Sequence, residues 1–156
     1  MPRFLLGTNT LIDMCIEDTA SRKWIEGGVK ARDINLSVIS VAAARQVIAQ
    51  HKMSEPRRAA FRKALEARLA ALVDDGSVML PFGESEAADW EQWRGHHPLE
   101  IDKAGTRYPV GQDTRMVIAT AVANGCTLVE PDEAYHRELR KLQVGVVSLL
   151  EDEALE

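Results

Sequence analysis

Residues 5–13, with the sequence L-L-G-T-N-T-L-I-D, decide the interpretation of the fold. The short run Arg3 to Leu6 is mainly apolar and ends at Gly7-Thr8-Asn9, which predicts a buried strand that leaves its sheet at a turn. Apolar residues at helical spacing come next, namely Leu11, Ile12, Cys15 and Ile16. The stretch therefore predicts a strand, a turn and a helix in immediate succession.

The rest of the chain repeats this alternation of strands and helices. Further strands are predicted at 35–39, 78–80, 127–129 and within 144–150. Helices are predicted around 24–29 and at 41–51, 84–94, 113–124 and 132–142, and a loop at 95–112. Another helix is predicted from Glu55, after the cap Ser54, to its end at Asp74-Asp75-Gly76. Continuously apolar strands that alternate with helices favour a parallel sheet covered on both faces. We expect one three-layer α/β domain over residues 1–150, with a mostly parallel sheet of about five strands, and an acidic, flexible tail at 151–156.

Three polar residues are placed to cap predicted helices. Ser40 precedes the helix that starts at Val41, and Ser54 precedes one with a proline in its first turn. Asp113 stands at the start of its helix and is expected to accept a hydrogen bond there.

Net charge, cysteine count and the absence of several motifs argue against some classes of function. The chain has 156 residues, a net charge of −5 and two cysteines, Cys15 and Cys126. It therefore has no global positive field for nucleic acid or anionic membrane, and no disulfide framework. We interpret both cysteines as small buried apolar residues in a reducing compartment. No signal peptide, membrane span, P-loop or serine-hydrolase motif is present, and cytoplasm is the expected location.

Four motifs together indicate a family. Residues 5–13 resemble the opening L-L-D-T-N-x-L-I of PIN domains, and residues 37–43, S-V-I-S-V-A-A, resemble the family's S-x-x-[ST]-x-x-E. Residues 114–121, T-R-M-V-I-A-T-A, resemble D-R-x-x-I-A-x-A, and residues 128–132, L-V-E-P-D, resemble L-V-T-x-D. The order and spacing are similar to those of the VapC-type toxins of bacterial toxin–antitoxin pairs.

The resemblance implies a specific chemistry. PIN domains gather carboxylates at the carboxyl edge of the sheet, where they hold Mg²⁺ or Mn²⁺. The metal activates a water molecule and neutralises charge on the scissile phosphate, so that RNA is hydrolysed. The resemblance also implies a homodimer and an antitoxin-like protein partner.

The acidic positions of the family are mostly lost in this chain. The first falls on Gly7, the second on Ala43 and the third on Thr114, whereas the fourth is retained as Asp132. The family's polar support residues correspond to Asn9 and Ser40. One carboxylate with a few neutral oxygens is a poor magnesium site, because Mg²⁺ gives up its water reluctantly. We therefore expect no cofactor, or only weak binding of Mg²⁺ or Mn²⁺.

An alternative is that the acids have moved. A displaced metal-binding cluster would consist of Asp132 together with Asp13, Asp113 and Glu130. Each has a simpler explanation: Asp113 as a helix cap, Asp13 as a solvated helix acid, and Glu130 with Asp132 as acids that favour the start of the next helix.

Two functions from different classes remain. The favoured one is a degenerate PIN domain without efficient cleavage that binds nucleic acid or protein, where the arginines at 57–68 are either a solvated helix face or contacts for RNA phosphates. The other is a toxin-like Mg²⁺- or Mn²⁺-dependent endoribonuclease with a rewired carboxylate site.

Overall fold

A computed structural model describes residues 2–95, 100–103, 106–131 and 135–149, with side chains outside 93–109. Its strands are β1 Phe4–Leu6, β2 Ile34–Ser37, β3 Val78–Leu80, β4 Glu100–Lys103, β5 Thr106–Pro109, β6 Thr127–Pro131 and β7 Val146–Leu149. Its helices are α1 Thr8–Asp13, α2 Ala20–Glu26, α3 Val38–Gln50, α4 Glu55–Asp74, α5 Glu84–Gly95, α6 Gln112–Ala123 and α7 His136–Lys141. The predicted tail at 151–156 and the first predicted turn of the last helix, 132–134, lie outside the described residues.

The main sheet has five strands in the order β3-β2-β1-β6-β7, and all neighbours are parallel. Successive residues of a strand face opposite sides of the sheet. Leu5 and Leu128 accordingly join one apolar cluster with α5, α6 and α7, whereas Leu6 and Val129 join a second with α1 to α4. The predicted three-layer α/β fold with a five-stranded parallel sheet is confirmed.

The start of α3 differs from the prediction. The helix begins at Val38, and Ser37 is its N-cap, because the Ser37 hydroxyl accepts hydrogen bonds from the amides of Ile39 at 3.1 Å and Ser40 at 3.4 Å. Ser40 lies inside the helix and is fully buried, so its assignment as the cap is wrong. The Ser54 cap of α4 is confirmed, since its hydroxyl accepts from the amide of Arg57.

The predicted loop at 95–112 contains an antiparallel strand pair. Strands β4 and β5 pair from Glu100 with Pro109 to Lys103 with Thr106. The signal in the sequence is the presence of the β-favouring residues Ile101, Thr106 and Tyr108 on either side of a short Ala-Gly connection. Two strands of four residues leave a weaker pattern than the buried strands of the main sheet.

Two smaller expectations also need correction. Helix α6 begins at Gln112 with Gly111 as N-cap and no side-chain cap bond, so Asp113 is a first-turn residue and not the cap. Cys126 is buried as expected, but Cys15 is only partly buried. Burial raises the pKa of both thiols above their ordinary value.

Candidate functional site

A cleft lies at the carboxyl edge of the sheet, where parallel strands bring the ends of β1 and β6 together. The amide of Gly7, just after β1, donates a 3.0 Å hydrogen bond to the carbonyl oxygen of Val129 in β6. The cleft has a volume of about 280 Å³. Its polar and small lining residues are Gly7, Thr8, Asn9, Ala43, Asp113, Thr114 and Glu130. We call this site the carboxyl-edge cleft.

The structure brings three of the family's four acidic positions into this cleft. Gly7 follows β1, Ala43 lies on α3 and Thr114 lies in the first turn of α6. Asn9, one of the two polar support residues, also lines the cleft and is exposed. The fourth acidic position, Asp132, lies outside the described residues.

Ser40, the other support residue, is placed differently. It does not line the carboxyl-edge cleft, and its side chain is fully buried in α3. Within the part of the chain that the structure describes, its hydroxyl oxygen has no hydrogen-bond partner. Its position therefore suits a packing role in α3 rather than direct contact with a ligand.

Glu130 occupies the space beside Gly7. Its side chain is only 4% exposed. A β-carbon built on Gly7 would lie within 3.0 Å of Cγ, Cδ and Oε1 of Glu130, closer than real β-carbons approach other heavy atoms. The carboxylate thus fills the place into which a side chain at position 7 would project.

The same carboxylate contacts the start of α1. The amide of Thr10 donates to Oε1 of Glu130 at 3.3 Å, and the Thr10 hydroxyl donates to the carbonyl oxygen of Val129 at 2.8 Å. Residues 132–134, which lead into the helix after Glu130, lie outside the described residues, so the expectation that Glu130 favours the start of that helix stays a prediction. The described contact of Glu130 is with α1, the helix that follows the neighbouring strand β1.

The displaced acids come together only in part. Asp113 is exposed and lines the cleft beside Thr114, together with the buried Glu130. Asp13 ends α1, is partly buried and does not line the cleft. Among the residues that the structure describes, no group of three or more His, Cys, Asp or Glu side chains is arranged to hold a metal ion. The described residues of the cleft therefore do not fit the three- or four-carboxylate site that the resemblance implies.

A second cavity lies at the opposite edge of the sheet, where β2 begins. It has a volume of about 640 Å³. Arg68 and Asp75 add charge to a lining that is otherwise apolar, namely Met14, Ile25, Val29, Ala31, Ile34, Ala67, Ala71 and Leu72. The Arg68 guanidinium lies 3.5 Å from the carboxylate of Glu26. We call it the α2–α4 groove; it is larger than the carboxyl-edge cleft and shares no lining residue with it.

No helix in the described part of the chain is long and apolar enough to cross a membrane.

Comparison with known proteins finds similar structures but no similar sequences. No family model and no curated protein matches the chain.

Solved structures do match. FitAcB from Neisseria gonorrhoeae aligns over 93% of this chain and 96% of its own, with 22% identity and a TM-score of 0.67. VapBC2 from Rickettsia felis, bound to a DNA fragment from its promoter, aligns over 93% and 97% with 15% identity and a TM-score of 0.67. VapC20 from Mycobacterium tuberculosis, a toxin that cleaves the sarcin–ricin loop, aligns over 86% and 94% with 13% identity and a TM-score of 0.58. The chain therefore has the PIN-like α/β fold of the VapC toxins.

Proposed function

We propose that this chain is a VapC-like PIN-domain protein that has lost efficient metal-dependent cleavage and acts as a binding module for a protein or nucleic-acid partner. One observation carries the proposal. Three positions that hold carboxylates in the family meet in the carboxyl-edge cleft as Gly7, Ala43 and Thr114. Hydrogen, methyl and hydroxyl groups therefore stand where anionic ligands would be needed.

The carboxylates that do line the cleft are poor substitutes. The Glu130 carboxylate is buried and already accepts a hydrogen bond from the Thr10 amide, while Asp113 is exposed to solvent. Mg²⁺ demands near-ideal octahedral oxygen geometry and dehydrates reluctantly. A buried, engaged carboxylate and a solvated one therefore favour weak binding over a cation held firmly against a scissile phosphate.

A protein partner is the favoured one. The matched FitAcB and VapBC2 structures are toxin–antitoxin assemblies, which motivates an antitoxin-like partner for this chain as well. The α2–α4 groove supports this choice, because its mainly apolar lining suits the apolar face of a partner helix. The net charge of −5 gives RNA no general electrostatic attraction. A homodimer and a cytoplasmic location belong to the same proposal.

A second candidate is a rewired metal-dependent endoribonuclease. The observation that favours it is the presence of Asp113 and Glu130 in the same cleft as Asn9. With Asp132, whose structure is not described, these residues would form a displaced set of oxygen ligands.

RNA cleavage decides between the two. Purified protein is incubated with RNA in Mn²⁺ or Mg²⁺, beside an Asp132→Asn variant from the same preparation and an active VapC toxin as positive control. We expect no cleavage by either form and no thermal shift in millimolar Mn²⁺. The thermal shift reports metal binding, because a ligand that binds only the folded state raises the stability of that state. Metal-dependent cleavage that disappears in Asp132→Asn would support the rewired ribonuclease and overturn the binding module.

A further inference from the structure

The constraint on a side chain at Gly7 is one of space and not of backbone conformation, because such a side chain would displace that of Glu130. Its φ of −79° and ψ of 174° are extended values that any residue adopts. The obstacle to a side chain is the Glu130 carboxyl group, which occupies the volume of the missing β-carbon. The absence of a side chain at position 7 is thus matched to the presence of one at position 130.

The match extends to hydrogen bonding. Gly7 is the N-cap of α1 and provides no side-chain cap. A capping aspartate or asparagine accepts a hydrogen bond from the second or third amide of its helix. Thr10 carries the third amide of α1, and its acceptor is Oε1 of Glu130 at 3.3 Å. Glu130 therefore makes, from β6, the bond that an acid at position 7 would make from within its own helix.

The surroundings make this bond important for the local structure. Thr10 is fully buried and Glu130 nearly so, and a buried amide without an acceptor costs free energy. The Thr10 hydroxyl is bonded to the carbonyl oxygen of Val129, the residue before Glu130. Both hydrogen-bond donors of Thr10 thus bond to β6, so that Glu130 helps to fix the first turn of α1, which presents Thr8 and Asn9 to the carboxyl-edge cleft.

We propose that Gly7 and Glu130 are an exchanged pair, in which the carboxylate that a VapC-like domain carries at the end of β1 is supplied from the neighbouring strand β6. Glu130 is then a positioning residue of the cleft: it replaces the lost acid in volume and in capping, and it would be displaced by a side chain at position 7. The inference rests on the assignment of position 7 in the proposed function, but it holds whether or not the protein cleaves RNA.

A double-mutant cycle tests the pair with the full chain. The proteins are wild type, Gly7→Asp, Glu130→Ala and Gly7→Asp/Glu130→Ala, and the readouts are the thermal midpoint and the hydrogen exchange of the Thr10 amide. Glu130→Ala should lower the midpoint by roughly 2–4 °C through loss of the cap. Gly7→Asp should lower the midpoint by more than Glu130→Ala does, because the carboxylates of the introduced aspartate and of Glu130 would compete for the same space. The double variant should recover most of the loss and keep the Thr10 amide protected, since the introduced aspartate would cap α1 directly.

Two more variants keep the test decisive. Glu130→Gln retains an amide oxygen and should preserve protection of the Thr10 amide, which distinguishes the specific cap from general packing. If Gly7→Asp does not fold, Gly7→Ala replaces it in the cycle for the thermal midpoint alone, because its methyl group meets the Glu130 side chain but offers no acceptor to the Thr10 amide. Additive losses in either double variant, or an unprotected Thr10 amide in Gly7→Asp/Glu130→Ala, would overturn the exchange. None of these readouts depends on cleavage, so failure here is distinct from failure of the proposed function.

Discussion

Asn124, at the end of α6, donates a 3.1 Å hydrogen bond from Nδ2 to the carboxylate of Glu86, in the first turn of α5. Glu86 is only 5% exposed, and it also accepts from the Gly83 amide at 2.8 Å and the Ser85 hydroxyl at 3.0 Å. The bond back to Gly83, three residues earlier, is that of a capping box. One carboxylate thereby starts α5 and ties it to the end of α6.

These bonds predict a pH-dependent contribution to stability. The Gly83 amide, followed by Ser85 and Asn124, holds the pKa of Glu86 below its ordinary value against the opposing effect of burial. Because the folded-state pKa is lowered, the contribution is present above the ordinary value of 4.5 and is lost as pH falls through the folded-state pKa. Glu86→Gln should therefore cost on the order of 1 kcal/mol of unfolding free energy at neutral pH and progressively less in acid.

Urea unfolding of wild type and Glu86→Gln from neutral pH to pH 3 measures this difference. Glu84→Gln is the matched control, because Glu84 is an exposed acid in the same helical turn. A gap between wild type and Glu86→Gln that does not change with pH would show that the charge on Glu86 contributes nothing.

Arg58 clamps the end of α3 to α4. Its Nε donates to the carbonyl oxygen of Ile48 at 3.1 Å, its second terminal nitrogen donates to that of His51 at 2.6 Å, and it pairs with Glu55. The carbonyls at a helix end lack partners within the helix, so this guanidinium satisfies two of them. It is a structural residue and not part of a solvated basic face.

We expect Arg58→Ala to lower the free energy of unfolding by about 1–3 kcal/mol, because two carbonyl bonds and an ion pair are lost. Arg58→Lys should restore little, since an ammonium group lacks the planar fork that reaches both carbonyls. Chemical denaturation provides the measurement, with the exposed neighbour Arg57→Ala as control. Full restoration by lysine would show that charge alone is sufficient.

The two cysteines should differ in reactivity. Burial raises the pKa of both thiols, but Cys126 is 7% exposed whereas Cys15 is more open and lies near Arg22 and Arg68, which lower its pKa in part. Native protein should therefore react with a thiol reagent at Cys15 before Cys126, and both should react quickly once unfolded. Single Cys15→Ser and Cys126→Ser variants separate the two rates, and faster labelling of Cys126 in the native state would contradict the structure.

The fold was predictable from the sequence because the patterns that specify it lie in short, contiguous stretches of the chain. Apolar runs such as those around Leu5 and Leu128 are bounded by turn residues and separated by helical patterns, and these features specify a covered parallel sheet. The start of α3 was harder to predict. Both Ser37 and Ser40 are suitable caps, and the choice depends on how far β2 pairs with β3, where Ser37 still lies opposite Leu80.

The arrangement of the carboxyl-edge cleft could not be predicted in the same way. Glu130 and Thr10 are 120 residues apart in the chain, and their contact depends on the register that places Leu6 opposite Val129. Local sequence indicates only that Glu130 follows an apolar strand. Only the packed sheet shows that the Glu130 side chain occupies the space of a side chain at position 7.

Restoration of the lost acids tests whether these positions form a PIN-type site. The variant Gly7→Asp/Glu130→Ala/Ala43→Glu/Thr114→Asp returns a carboxylate to each position and removes the side chain that blocks position 7. We expect it to gain a thermal shift in millimolar Mn²⁺ and metal-dependent RNA cleavage, because several fixed carboxylates hold a hard cation that can activate water. The wild type should show neither, and addition of Asp132→Asn to the restored variant should reduce both gains. A folded restored variant that binds Mn²⁺ without cleaving RNA would mean that the loss of these acids is not what separates this chain from an active ribonuclease.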